Sequence, residues 1–79
     1  MIRFAANVVT EKQRKLLGEG IQRYRKLAQL TQEELAEKVE LNPAYVGQIE
    51  RGYKVPTFDV VLRIAKALKV RLRDIVAEL

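Results

Sequence analysis

The run Thr31-Gln32-Glu33-Glu34-Leu35-Ala36-Glu37-Lys38-Val39-Glu40-Leu41-Asn42-Pro43-Ala44-Tyr45-Val46-Gly47-Gln48-Ile49-Glu50-Arg51-Gly52 holds two helix starts in close succession. Thr31 is a capping residue, Glu34 completes a capping box with it, and Leu30 is placed to staple onto Leu35 across the cap. Asn42 is a second favoured cap, and Pro43 suits the first helical position, where no amide hydrogen is needed. The first helix buries Leu35, Ala36 and Val39. Only Glu40 and Leu41 separate Val39 from Asn42. Two capped helices joined by so short a turn must cross steeply, which is a helix-turn-helix unit over residues 31–52. Ala36 fits that crossing, because a small side chain lets the helices touch.

On a helical wheel at about 100° per residue, Val46 and Ile49 fall on the inner face of the second helix. Ala44, Gly47, Gln48 and Arg51 fall together on the opposite face. That face is slim, has no carboxylate, and is able to approach a base-pair edge. Gln48 has the amide geometry to pair bidentately with adenine, and Ala44 suits contact with a thymine methyl. Helix amino termini favour phosphate, which places Gln32 and Asn42 near a backbone.

Outward from the unit, further punctuation predicts an all-α, five-helix domain. Thr10 and Gln13 form another capping box, opening a helix to about Ala28 with Leu17, Ile21, Tyr24 and Ala28 on its apolar stripe. Gly18 and Gly20 each weaken it by roughly 1 kcal/mol relative to alanine, so its first half is expected to fray or bend. Gly52 ends the third helix. Thr57 caps a fourth, with Phe58, Val61, Leu62, Ala65 and Leu68 inward. A fifth is expected from about Leu72 to Glu78. Ile2, Phe4, Ala6 and Val8 alternate with a period of two, predicting an extended N-terminal arm over 1–10 ahead of the domain at 11–79.

Seventy-nine residues make one small domain whose stability a partner subunit would help. The chain has no cysteine and no histidine, which excludes disulfides, thiolate metal sites and the usual general base. Its carboxylates are spread along capped helices and assemble no catalytic set, so no enzyme, cofactor or metal is expected. No apolar run approaches the ~20 residues of a membrane span, and the cytoplasm is the default compartment. Net charge is +5 with a pI of 9.8, in the range that flags nucleic-acid binding. The cations lie in the flanks. Residues 31–50 carry Lys38 against Glu33, Glu34, Glu37, Glu40 and Glu50, so any reading by this stretch depends on geometry rather than bulk attraction.

The central run, continuing through Pro56-Thr57 and Ile64-Ala65-Lys66-Ala67-Leu68, resembles the Xre/Cro-type helix-turn-helix family over roughly residues 17–79. The resemblance implies a lambda-repressor-like fold whose third helix enters the major groove of double-stranded DNA. It places Gln32, Pro43, Ala44, Gly47 and Gln48 near bases, and Tyr45, Arg51 and Lys54 facing phosphates, with Asn42. It also implies a structural ion pair between Arg25 and Glu50. Three positions depart from the family's usual glycines: Gln29, Glu40 and Lys69. Either those turns take another geometry, or each gives up about 1–2 kcal/mol in the left-handed region.

With nothing after residue 79 to hold an effector, the expected function is that of a stand-alone transcriptional regulator. In length and layout the chain is similar to the controller proteins of restriction-modification systems. Leu72, Ile75, Val76 and Leu79 are too many apolar side chains for one short helix to bury, which predicts a homodimer reading a palindromic site. An antitoxin-type protein-interaction module is the competing reading. The cluster of Arg63, Lys66, Arg71 and Arg73 is expected to be solvated surface or an extension of the phosphate track.

Overall fold

A computed structural model describes residues 9–79, and the expected arm, with Ile2, Phe4, Ala6 and Val8, lies almost wholly outside them. Five helices follow in order: α1 (Glu11–Leu27), α2 (Gln32–Val39), α3 (Pro43–Glu50), α4 (Phe58–Leu68) and α5 (Leu72–Ile75). Each of the four long helices starts where a short polar side chain stands. Thr10 and Thr31 accept from the backbone N–H of Gln13 and Glu34, and the side chains of Gln13 and Glu34 accept in return from the cap N–H groups. Asn42 Oδ1 accepts from Ala44 N at 2.8 Å, with Pro43 in the first turn, and Thr57 accepts from Val60 N. These bonds satisfy amide hydrogens that a helix start otherwise leaves unpaired.

The ends of α1 to α4 share one device. At Gln29, Glu40, Gly52 and Lys69 the backbone turns left-handed, with φ of 61°, 59°, 80° and 59°. In each, the next residue's N–H reaches back to close the last turn: Leu30 to Arg25 O, Leu41 to Ala36 O, Tyr53 to Gln48 O and Val70 to Ala65 O. An apolar residue follows every left-handed one, as this helix-ending motif favours. The open alternative about the missing glycines is thereby settled. The turns keep the left-handed geometry, and three non-glycine residues bear its strain.

Ile21, Leu35, Val46, Ile49 and Ile64 are the largest fully buried side chains and form the centre of one core. α1 packs on α3 and α5, α2 on α3 and α4, and α4 closes on α5. Burying a Leu, Ile or Val side chain contributes roughly 1.5–3 kcal/mol, so this cluster carries most of the stabilisation.

Several expectations are corrected. α1 runs unbroken through Gly18 and Gly20. A Cβ on Gly18 would overlap the Ile49 carbonyl oxygen and stand 2.5 Å from that of Glu50, and one on Gly20 would stand 2.9 Å from Ile75 O. Those glycines let the ends of α3 and α5 lie against the α1 backbone. Ala28 is the exposed C-cap of α1 rather than part of its buried stripe. Phe58 is 67% exposed: it lies in the first turn of α4, where nothing among the described residues covers it, and Val60 and Ile64 fill the core beside Val61 and Ala65. α5 is a single turn, ending at Ile75. Arg63 is not simply solvated, because its Nη1 donates to Val39 O at 2.9 Å, at the carboxyl end of α2. Among the described residues, no helix is long and apolar enough to cross a membrane.

Candidate nucleic-acid interface

α3 presents two unlike faces. Val46 and Ile49 are 0% and 1% exposed, while Pro43 and Ala44 are open to solvent and Gln48 is half-exposed. The inner face is fixed by more than apolar contact. Glu50, the last residue of α3, has a side chain 1% exposed and meets Arg25 of α1 in a bidentate ion pair. Arg25 Nε donates to Glu50 Oε2 at 2.6 Å and Nη2 donates to Oε1 at 3.0 Å. The remaining guanidinium nitrogen, Nη1, donates to Leu30 O at 2.8 Å in the turn before α2. One guanidinium therefore ties α1, the α1–α2 turn and the end of α3 together. A buried charge needs such pairing to offset its desolvation.

A second donor reaches the same carboxylate. Gln32, the first residue of α2, donates from Nε2 to Glu50 Oε1 at 2.9 Å. Its amide lies across Gly47, so that a Cβ there would stand 3.3 Å from Gln32 Oε1 and 3.7 Å from Nε2. Gly47 is buried beneath that amide and the Arg51 side chain. It is thus a seat under the ridge instead of a bare point on it. Asn42 is exposed, its Oδ1 taken by the cap. Tyr45 is half-buried and packs on the core edge.

Beyond α3, the Arg51 guanidinium stands 5.2 Å from the centroid of the Tyr53 ring, and Lys54 is exposed beside them. A cation over an aromatic face is attracted by the ring's negative centre and restrained by it. The ridge of α3 is in this way uncharged along its length and cationic at its carboxyl end.

A family model for the helix-turn-helix, HTH_3, matches residues 21–75, from the middle of α1 to the end of α5. The chain belongs to the helix-turn-helix family. Among the relatives of this helix-turn-helix protein, the vegetative-specific protein H7 of Dictyostelium discoideum is 38% identical over 55 residues, 70% of this chain and 53% of that protein. The control protein C.SmaI of Serratia marcescens is 36% identical over 55 residues, 70% of this chain and 66% of its own length. The chain spans about half or less of the first curated relatives it matches, among them a transcriptional regulator of Mycobacterium tuberculosis at 38% of its length. Of solved structures, the restriction-modification controller C.AhdI of Aeromonas hydrophila superposes with a TM-score of 0.75 at 31% identity, over 77% of this chain and 92% of that one. The clp gene regulator ClgR of Corynebacterium glutamicum gives 0.81 at 29% identity, over 84% of this chain and 85% of that one.

Within the helix-turn-helix, the structure brings Gln32, Gly47, Glu50 and Arg51 together and leaves Pro43, Ala44 and Gln48 open. It does not bring the four apolar residues near the C-terminus to a common outer surface. Ile75 is 3% exposed and belongs to the core, Leu72 and Val76 pack half-buried against it, and only Leu79, at 48%, stands out. Ile75 is therefore corrected from partner surface to core, because the close approach at Gly20 lets α5 turn inward. Two features were not read from the sequence. Tyr53 was signalled only by an aromatic following the helix-ending glycine, and the bond from Gln32 to Glu50 joins residues far apart in the chain.

Proposed function

We propose that this chain is a sequence-specific regulator of transcription that binds double-stranded DNA in the cytoplasm with α3 in the major groove. The observation that carries the proposal is the contrast between the two faces of α3. Pro43, Ala44 and Gln48 form an accessible, uncharged edge, while Val46, Ile49 and the Arg25–Glu50 pair hold the helix from behind. A slim edge on a rigid support suits close approach to base pairs, with Gln48 matched to adenine and Ala44 to a thymine methyl. Asn42, Arg51 and Lys54, exposed at or just beyond the two ends of α3, are suited to phosphates, and Tyr45, half-buried in the first turn of α3, is the fourth phosphate candidate. The regulator and control-protein relatives support the same reading.

One such module covers little DNA, so a homodimer on a palindromic operator, with half-sites one helical turn apart, completes the proposal. Leu79 with the outer edges of Leu72 and Val76 is one surface for the second copy, and Val55 with Phe58 is another. Selection of bound sites from random duplexes tests all of this at once. A palindrome with half-site centres about 10 base pairs apart is expected. Enrichment of no sequence would refute specific binding, and enrichment of a lone half-site would refute the dimer. A protein-interaction module remains the competing reading, favoured by the exposure of Tyr53, Phe58 and Leu27 at 69%, 67% and 72%. Capture of a protein partner without any selected DNA site would establish it.

A further inference from the structure

Two of the strained turns, at Gln29 and at Lys69, border a single groove of about 430 Å3. It is lined by Ala28, Leu30, Lys38, Ala67, Leu68 and Lys69. The floor is apolar: Leu68 belongs to the core, Leu30 and Ala67 pack half-buried against it, and the small Ala28 and Ala67 leave the depression. Lys38 and Lys69 are exposed at the rim. No carboxylate lines the groove, and among the described residues neither lysine forms an ion pair. Glu34, one turn before Lys38, is held at its cap, where Oε1 accepts from Thr31 N.

The backbone donors of the groove are already engaged. The N–H groups of Ala28, Leu30 and Lys69 donate to the carbonyls of Tyr24, Arg25 and Lys66, and those of Lys38, Ala67 and Leu68 lie within helices. The same bonds occupy carbonyls at the ends of α1 and α4, which blunts the partial negative charge that a helix end shows to an anion. Lys69 is the informative residue. Glycine would be unstrained at its φ of 59°, so a lysine there keeps a cation on the rim at a cost in stability.

We infer that this groove docks an acidic segment of a partner protein, with an aliphatic side chain on the apolar floor and carboxylates on Lys38 and Lys69. Ammonium groups on long stems are mobile point charges that follow the carboxylates of a peptide. A small ligand needs several fixed polar groups to orient it, and the groove offers only these two lysines. A nucleic-acid backbone is held by rows of cations and would leave the apolar floor unused. α3 contributes no residue to the groove, so the partner and DNA would not compete for the same surface.

The test is selection from a random-peptide phage library, followed by titration of the best synthetic peptide into the isotope-labelled full chain by NMR. Enriched peptides should carry acidic residues on both sides of an aliphatic one. Amide shifts should fall on Ala28, Leu30, Lys38, Leu68 and Lys69 and leave Ala44 and Gln48 unmoved. Lys69→Gly should weaken the peptide by roughly 2- to 5-fold while raising the melting temperature, a loss of binding without a loss of fold. Lys38→Glu combined with Lys69→Glu should weaken it at least about tenfold. Serine in place of the peptide's aliphatic residue should also weaken it about tenfold or more.

Enrichment of no peptide, enrichment of peptides without acidic residues, shifts centred on α3, or full affinity in the double charge reversal would each overturn the dock. Shifts at Lys38 and Lys69 on adding a random duplex or single-stranded RNA, with none from the peptide, would overturn it as well. Base reading by α3 stands or falls separately, on the selection of duplex sites.

Discussion

Three turns of this protein hold left-handed backbone on residues that disfavour it, and replacing them with glycine is expected to stabilise the domain. Gln29, Glu40 and Lys69 sit at φ of 61°, 59° and 59°, where a Cβ crowds the following carbonyl at a cost of about 1–2 kcal/mol each. Glycine removes that strain but loses roughly 0.5–1 kcal/mol of extra chain entropy on folding. The net gain is about 0.5–1 kcal/mol per site. The residues lie in three separate turns, after α1, α2 and α4, so their effects should nearly add, to about 1.5–3 kcal/mol. In a domain of this size each kcal/mol moves the melting temperature by about 4–8 °C, so the triple variant should melt at least ~6 °C higher. Thermal and urea unfolding followed by circular dichroism measure it. Gly52→Ala is the control, expected to destabilise, because its φ is 80° and an added Cβ would stand 2.8 Å from Lys15 Cγ. A triple variant that melts at or below wild type would refute the strain argument.

Two further substitutions test the framework behind α3. Arg25→Ala leaves the Glu50 carboxylate buried without its cation and is expected to cost about 3–5 kcal/mol, enough to leave much of the domain unfolded at 37 °C by circular dichroism. Gly18→Ala drives a methyl group into the backbone at the end of α3, so urea unfolding should show a loss of at least about 1–3 kcal/mol even though alanine favours helix.

What was legible in the sequence is local. Thr10, Thr31, Asn42 and Thr57 act within three residues of themselves, so their side-chain chemistry alone marks the starts of α1 to α4. The short turn at Glu40–Leu41 and the apolar spacing of Val46 and Ile49 likewise orient α3 without knowledge of distant contacts. What was not legible depends on residues far along the chain. Gly18 and Gly20 look like weak points of a helix until Ile49, Glu50 and Ile75 are seen against them. Phe58 shares a wheel sector with Ala65, and periodicity gives no sign that the first turn of α4 lies uncovered. At Ile75 the inward turn of α5 decides burial, and hydropathy cannot tell core from partner surface. Arg63 has the composition of a surface cation, yet it serves the carboxyl end of α2. For the interface, the residue types of α3 indicate which edge is open, whereas the inward bond of Gln32 joins positions on different helices and has no local signature.

The proposed roles of Gln48 on α3 and Lys54 beyond its end are tested most directly by measuring the ratio of cognate to random-duplex affinity for wild type, Gln48→Ala and Lys54→Ala across a range of salt. Gln48→Ala should lower that ratio by the equivalent of about 1–3 kcal/mol and leave the salt dependence unchanged. Lys54→Ala should keep the ratio while flattening the salt slope by about one. If both substitutions weaken cognate and random DNA alike, the exposed edge of α3 does not read bases.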